Sequence, residues 1–157
     1  MLAGLAQFEQ DSGRFQSLRQ ALRGLFVLDP NQFSVNEAWI VFQINDTPIN
    51  TERDGSFNAV CLMDAASLFI LVTDMVSTEL DEPSEFEVKR LLKTAWEHKR
   101  QYPVTLFVPR GQFETVFPAQ AERNGISVVS IPESELAVFT GEAKQSFKRH
   151  VQQAGAQ

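Results

Sequence analysis

Apolar positions alternate along residues 37 to 44, with Ala38, Ile40, Phe42 and Ile44 on one side and Trp39, Val41 and Gln43 on the other. A period of two marks a strand, and because both sides are largely apolar this strand belongs well inside a sheet. Asn45-Asp46-Thr47-Pro48 ends it, and Asp54-Gly55 predicts a turn. Phe57 to Met63 and Ser67 to Thr73 read as two more strands. The spacer Asp64-Ala65-Ala66 is so short that they should pair as an antiparallel hairpin. The period then changes. Ser84 with Glu87 three residues on forms a capping box, and Val88, Leu91, Leu92, Ala95 and Trp96 recur at helical spacing. Glu85 and Glu87 at its start and Lys99 and Arg100 at its end complement the helix dipole. Tyr102-Pro103 stops the helix, and Val104 to Val108 is a short strand. A second helix is expected from near Phe113 or Phe117, with Pro118 in its first turn and Gly125 at the left-handed position after it. Ile126 to Ile131 completes a strand-helix-strand unit whose right-handed crossover predicts parallel strands. From Glu135, a loop or short helix is expected to lead into a last helix near residues 141 to 152, where Ala143, Phe147 and Val151 make a thin apolar stripe.

Ahead of the first strand, Leu5, Phe8, Phe15, Leu18, Leu22 and Leu25 share one face of a helix predicted over residues 3–24, with Arg14, Arg19 and Arg23 off that face and Gly13 weakening its middle. Asp29-Pro30-Asn31 breaks that pattern. The organisation is therefore a helical arm over residues 1–28, an α/β core over 29–153 and a tail, 154–157, expected to fray. The core's mixed sheet is a three-stranded antiparallel meander followed by αβαβα. The arm exposes Phe8 and Phe15 unless it covers something, either its own core or a second copy of the chain as a homodimer.

Composition narrows the function classes. With 157 residues, 43% of them hydrophobic and 13 of them Phe, the chain has material for one well-packed core and no second one. Twenty acidic against 14 basic residues leave a net charge of −6, which disfavours a phosphate backbone as partner unless the basic groups gather on one face. The single cysteine, Cys61, sits in the apolar run Val60-Cys61-Leu62-Met63 and has no intrachain partner, so it reads as a buried thiol in a reducing compartment. The first residues have neither the basic nor the apolar stretch of a signal peptide, and no segment approaches the roughly 20 apolar residues that span a bilayer. The expectation is a cytoplasmic protein without a membrane segment. His98 and His150 have no second ligand at metal-binding spacing, and Arg110-Gly111-Gln112 is too short for a phosphate loop.

Several stretches, taken in order, resemble the ribonuclease-H-like catalytic core of the retroviral integrases and transposases. Phe42-Gln43-Ile44-Asn45-Asp46-Thr47-Pro48 is similar to that family's first strand, where an Asp follows an apolar run. Leu62-Met63-Asp64-Ala65-Ala66-Ser67 resembles its hairpin, in which an Asp and a Ser mark the turn. Pro103 to Phe113 resembles the strand and loop that bring the second catalytic Asp, and Gly141 to Lys148 the helix that carries a third carboxylate and a lysine. The likeness covers roughly residues 37 to 150. It implies the corresponding fold and, in the family, two-metal phosphoryl transfer on magnesium held by converging carboxylates. Here the first position falls on Asn45 and the second on Pro109, and only Glu142 matches the third. A one-residue shift turns a strand side chain to the opposite face, so Asp46 replaces Asn45 only if the strand bulges. The chain also resembles uncharacterised bacterial domains that bring no functional residues with them.

Three functions follow as expectations. The first is a non-catalytic binding or interaction module without cofactor or metal, whose partner is a protein or a second copy. The second is a magnesium-dependent nuclease or polynucleotidyl transferase with a rearranged site of Asp46, Asp64 and Glu142. The third is a small-ligand regulatory domain with a cleft by Pro109 to Gln112. A ligand or partner strip is expected from Arg110, Gln112, Arg123, Lys144 and Lys148, with Arg149 beside it, near the strand ends where ligands of open α/β sheets bind.

Overall fold

Strand β1 (Ala38–Gln43) is buried on both faces because its two sets of side chains enter different cores. Trp39 and Val41 point into one, Ala38, Ile40 and Phe42 into the other. The structure, a computed structural model, describes residues 28–155, so the arm expected over 3–24 lies outside the described residues. Leu28, where the described chain begins, is buried in the second core.

Five further strands complete a mixed sheet: β2 (Ile49–Thr51), β3 (Gly55–Asp64), β4 (Ile70–Ser77), β5 (Thr105–Pro109) and β6 (Ser127–Ile131). β1 is central, antiparallel to β3 and parallel to β5, and β5 pairs with β6 in parallel, as the strand-helix-strand reading predicts. β1 and β2 lie in succession along one edge of β3, while β4 takes the other. Helices α1 (Glu85–Lys99) and α2 (Val116–Arg123) cover the face bearing Trp39 and Val41. Helix α3 (Glu133–Gly155) covers the opposite face through Leu136, Phe139 and Phe147. Among the described residues no helix is long and apolar enough to cross a membrane.

Local signals hold for α1. Ser84 Oγ accepts the Glu87 N–H and Glu87 Oε1 accepts the Ser84 N–H, closing the expected box, and Arg100 ends the helix in the left-handed conformation. Three expectations are corrected. β2 is a strand between Pro48 and the Asp54-Gly55 turn, where none is expected; at three residues, two of them Asn and Thr, it carries no periodic signal. The second arm of the hairpin runs from Ile70 to Ser77, not Ser67 to Thr73, because the Asp64 carboxylate draws Ser67 into the turn by accepting its N–H and Oγ–H. The last helix is continuous from Glu133 through Gly141, without the separate loop or short helix expected before it. Leu136, Phe139, Ala143 and Phe147 form one stripe against the sheet, and its burial outweighs the roughly 1 kcal/mol that an interior glycine costs. The helix reaches Gly155; residues 156 and 157 lie outside the described residues.

Candidate functional site

Between β1 and β2 the chain bulges. Gln43 faces Val60 and Ile49 faces Phe57, so five residues (44–48) span what two (58 and 59) span on β3. Such a bulge interrupts the ladder and leaves backbone groups of β3 without backbone partners. Asn45 repairs the gap with its side chain. Its Oδ1 accepts the Ala59 N–H at 2.7 Å, and its Nδ2 donates to Thr47 O at 2.9 Å and to Asn58 Oδ1 at 3.0 Å. The amide is buried, and all its hydrogen-bonding groups serve the join. Asp46, next along, is exposed at the lip of the bulge.

A groove of about 400 Å³ opens between this bulge and the C-terminal half of α3. Its apolar surface comes from Ile44, Pro48 and Ile49 on the sheet side and from Phe147 and Val151 on the helix, and its charged lining is Asp46 on the sheet side with Lys144 and Lys148 on the helix. Lys144 Nζ lies 3.0 Å from Glu133 Oε1, whose other oxygen accepts from Gln112 Nε2 at 3.2 Å. Lys148 is exposed and has no ion-pair partner among the described residues. The stripe Phe147–Val151 is visible in the sequence. Its sheet-side partners are not, because the bulge that presents them is a tertiary feature.

The residues of the rearranged metal site do not meet. Asp64 pairs with Trp39 near the start of β1, whereas Asn45 contacts Asn58; the six residue steps along β3 from Asn58 to Asp64 span about 20 Å. Asp64 is fully buried and accepts from Asn36 N–H at 2.7 Å, Ser67 N–H at 2.9 Å and Ser67 Oγ–H at 2.6 Å. Glu142 is exposed, and at about 100° per residue it lies on the flank of α3 away from Lys144. Pro109, the second family position, closes β5 and offers no ligand atom on its side chain. Among the described residues no group of three or more His, Cys, Asp or Glu could hold a metal ion. These residues do not fit magnesium, which demands several oxygen ligands at near-octahedral geometry.

The expected strip is likewise divided. Arg123 ends α2, in the layer opposite α3, and lies 3.9 Å from Glu85. Arg110 is exposed after β5, Gln112 reaches Glu133, and only Lys144 and Lys148 line the groove. A second groove of about 380 Å³ is lined by Gln43, Asp81, Glu82 and residues 111–115, so of the stretch Pro109 to Gln112 only Gly111 and Gln112 line it. Its acids are partly committed: Glu82 Oε2 accepts the Thr115 and Val116 N–H groups, and Glu114 Oε1 accepts the Gly111 N–H. His98 packs edge-on against Phe69.

Cys61 is buried beside Thr73, and burial pushes its thiol up to about 11, against the smaller opposing effect of the Thr73 hydroxyl. In the native protein at pH 8 it should resist a thiol reagent, reacting only after urea unfolding, as absorbance of the released chromophore will read. The folded value exceeds the unfolded one of about 8.5, so the stability held below pH 8.5 is lost progressively as pH rises toward 11.

No family model matches the chain, and no curated protein matches it by sequence. Solved structures do. The integrase catalytic core domain of HTLV-2, in complex with magnesium and in dimeric form, is 13% identical, with 64% of this chain and 63% of that chain covered and a TM-score of 0.46. A chain of the simian T-cell lymphotropic virus intasome, in complex with PP2A regulatory subunit B56 gamma, is also 13% identical, with 72% of this chain and 37% of that chain covered and a TM-score of 0.51. The chain thus spans less than two thirds of the length of either. At that identity the likeness concerns architecture alone, and together with the strand order it places the described residues in the ribonuclease-H-like fold.

Proposed function

We propose that this chain is a binding or interaction module built on a ribonuclease-H-like scaffold, with no metal-dependent chemistry of its own and with the groove between the β1–β2 bulge and α3 as its binding surface. The observation that carries this reading is Asn45. At the place where the fold's relatives in the resemblance present a first carboxylate, this chain has an amide whose oxygen and nitrogen bind Ala59, Asn58 and Thr47. The neighbouring groove offers apolar side chains with two lysines and a single carboxylate, Asp46, a surface suited to a protein segment more than to a cation that needs several oxygen ligands. A net charge of −6 also favours a protein partner over a nucleic acid. One buried thiol and no cysteine pair suit a cytoplasmic setting.

The test is a magnesium and manganese titration followed by thermal denaturation, with sodium chloride at matched ionic strength as control, beside a nuclease assay on single- and double-stranded DNA and RNA. No saturable rise in Tm and no cleavage are expected. A saturable rise that disappears in Asp46→Ala or Glu142→Ala would establish a metal site and remove the proposal.

A further inference from the structure

We infer that the Asp74 and Glu87 carboxylates guard the outer edge of β4 against strand addition by a second copy of this chain. The backbone directions follow from the hydrogen bonds of β3. Ala59 O accepts the Ile44 N–H and the Ala59 N–H goes to Asn45 Oδ1, both on the β1 side, whereas Ser56 O accepts the Thr78 N–H on the other. Within a strand the N–H and C=O of one residue share a side, and the sides alternate along the chain. Ala59 and Cys61 therefore face β1, while Asn58, Val60 and Leu62 face β4, whose Val76, Asp74 and Val72 turn inward to meet them. Thr73, Met75 and Ser77 point their N–H and C=O groups out of the sheet, where β4 has no neighbouring strand among the described residues.

An eight-residue edge strand with Ile, Val and Thr is a template on which another chain can pair. Here the outward N–H groups of Met75 and Ser77 are already taken. Met75 donates to Asp74 Oδ1 at 2.9 Å and Ser77 to Glu87 Oε2 at 3.3 Å. Both carboxylates are held. Asp74 Oδ2 accepts from Arg90 Nε, and the Arg90 guanidinium lies 5.4 Å from the centre of the Phe86 ring, which gives that exposed phenylalanine a role. Glu87 Oε1 accepts the Ser84 N–H, so one side chain both caps α1 and covers the edge. A second copy is the strand this arrangement excludes, because it always presents the same edge. Two β4 strands paired antiparallel about a two-fold axis set Met75 opposite Met75 and Thr73 opposite Ser77, and that ladder needs both N–H groups that the carboxylates occupy.

Sedimentation velocity and amide hydrogen exchange of the full chain over a range of concentrations test this. Asp74→Ala removes one guard. Glu87→Gln removes the other and keeps the capping box, because its amide oxygen still accepts the Ser84 N–H while its amide nitrogen faces the Ser77 N–H. The double variant should associate about tenfold or more tightly than the unmodified chain, with exchange at residues 73–77 slowing as concentration rises. Asp74→Ala alone, which leaves the α1 cap intact, should move in the same direction. Adding Met75→Pro to the double variant should return it to the unmodified behaviour, since proline is tolerated where an edge strand's N–H faces outward and has no N–H to give a partner. Variants that associate no more than the unmodified chain, or a gain in association that survives Met75→Pro, overturn the inference. So does concentration-dependent protection of residues 73–77 in the unmodified chain, which means that the carboxylates leave the edge open.

Discussion

Asn45→Asp is expected to destabilise the protein by about 3–5 kcal/mol at neutral pH, although it restores the residue type that a metal site would need. The side chain is buried, and its nitrogen lies 2.9 Å from Thr47 O and 3.0 Å from Asn58 Oδ1. Both of those atoms accept in the native pattern. An aspartate oxygen there sets acceptor against acceptor, with an uncompensated charge in a poorly solvated place. The new carboxyl escapes part of this cost by holding a proton, so its native pKa will exceed its unfolded one. The sign follows from linkage: the native state then binds more protons than the unfolded state, and the stability of the variant falls as pH rises through the carboxylate range. Urea denaturation of both proteins at pH 4.5 and pH 7.5 measures it. A gap that widens at pH 7.5 is expected; equal stability at both values, or a magnesium-dependent rescue at neutral pH, would contradict the structural role assigned to Asn45.

Asp64→Ala should cost about 2–4 kcal/mol, from urea denaturation with an unchanged m-value. The carboxylate is fully buried and accepts three hydrogen bonds, two of them from the backbone N–H groups of Asn36 and Ser67. Removing it orphans both. The effect spreads because Asn36, in the left-handed conformation at φ 66°, accepts the Trp39 indole N–H at 2.7 Å and donates to Gln101 O at 3.2 Å. Asp64 thus ties the β3–β4 turn to the segment before β1 and to the largest side chain of the first core. Asp64→Asn should lose less, since one oxygen remains, but its nitrogen must meet a donor. Because Asp64 lies about 20 Å from the groove level, neither variant should alter binding at the groove of the folded protein. An Asp64→Ala protein as stable as the original would refute this account.

The contrast between these two acid-or-amide positions shows what could be read from residues alone. Asp64 and Ser67 are legible as a hairpin turn through the family resemblance, whereas both ends of β4, Ile70 and Ser77, differ from the strand expected over Ser67 to Thr73. Asn45 was legible as a departure from the carboxylate pattern but not as a structural bridge, since two of its three partners are 13 and 14 residues away across the sheet. Glu142 matches the third carboxylate of the resemblance, but it is exposed on the flank of α3 away from Lys144. Lys144 and Lys148 were placed in a strip with Arg123, which the layer order puts on the opposite side of the sheet.

By itself the sequence determined the elements with strong local periods and caps: the doubly buried β1, the boxed helix α1 and the parallel pairing of β5 with β6, along with a single protected thiol. Those features depend on neighbours within a few positions, where side-chain spacing and capping act directly on the backbone. Tertiary structure alone decided that Asn45 closes a bulge, that α3 continues through Gly141, and that a groove lies between them. Each of these depends on which distant strand supplies the missing hydrogen-bond partners and apolar contacts, and a chain specifies those only once its sheet has formed.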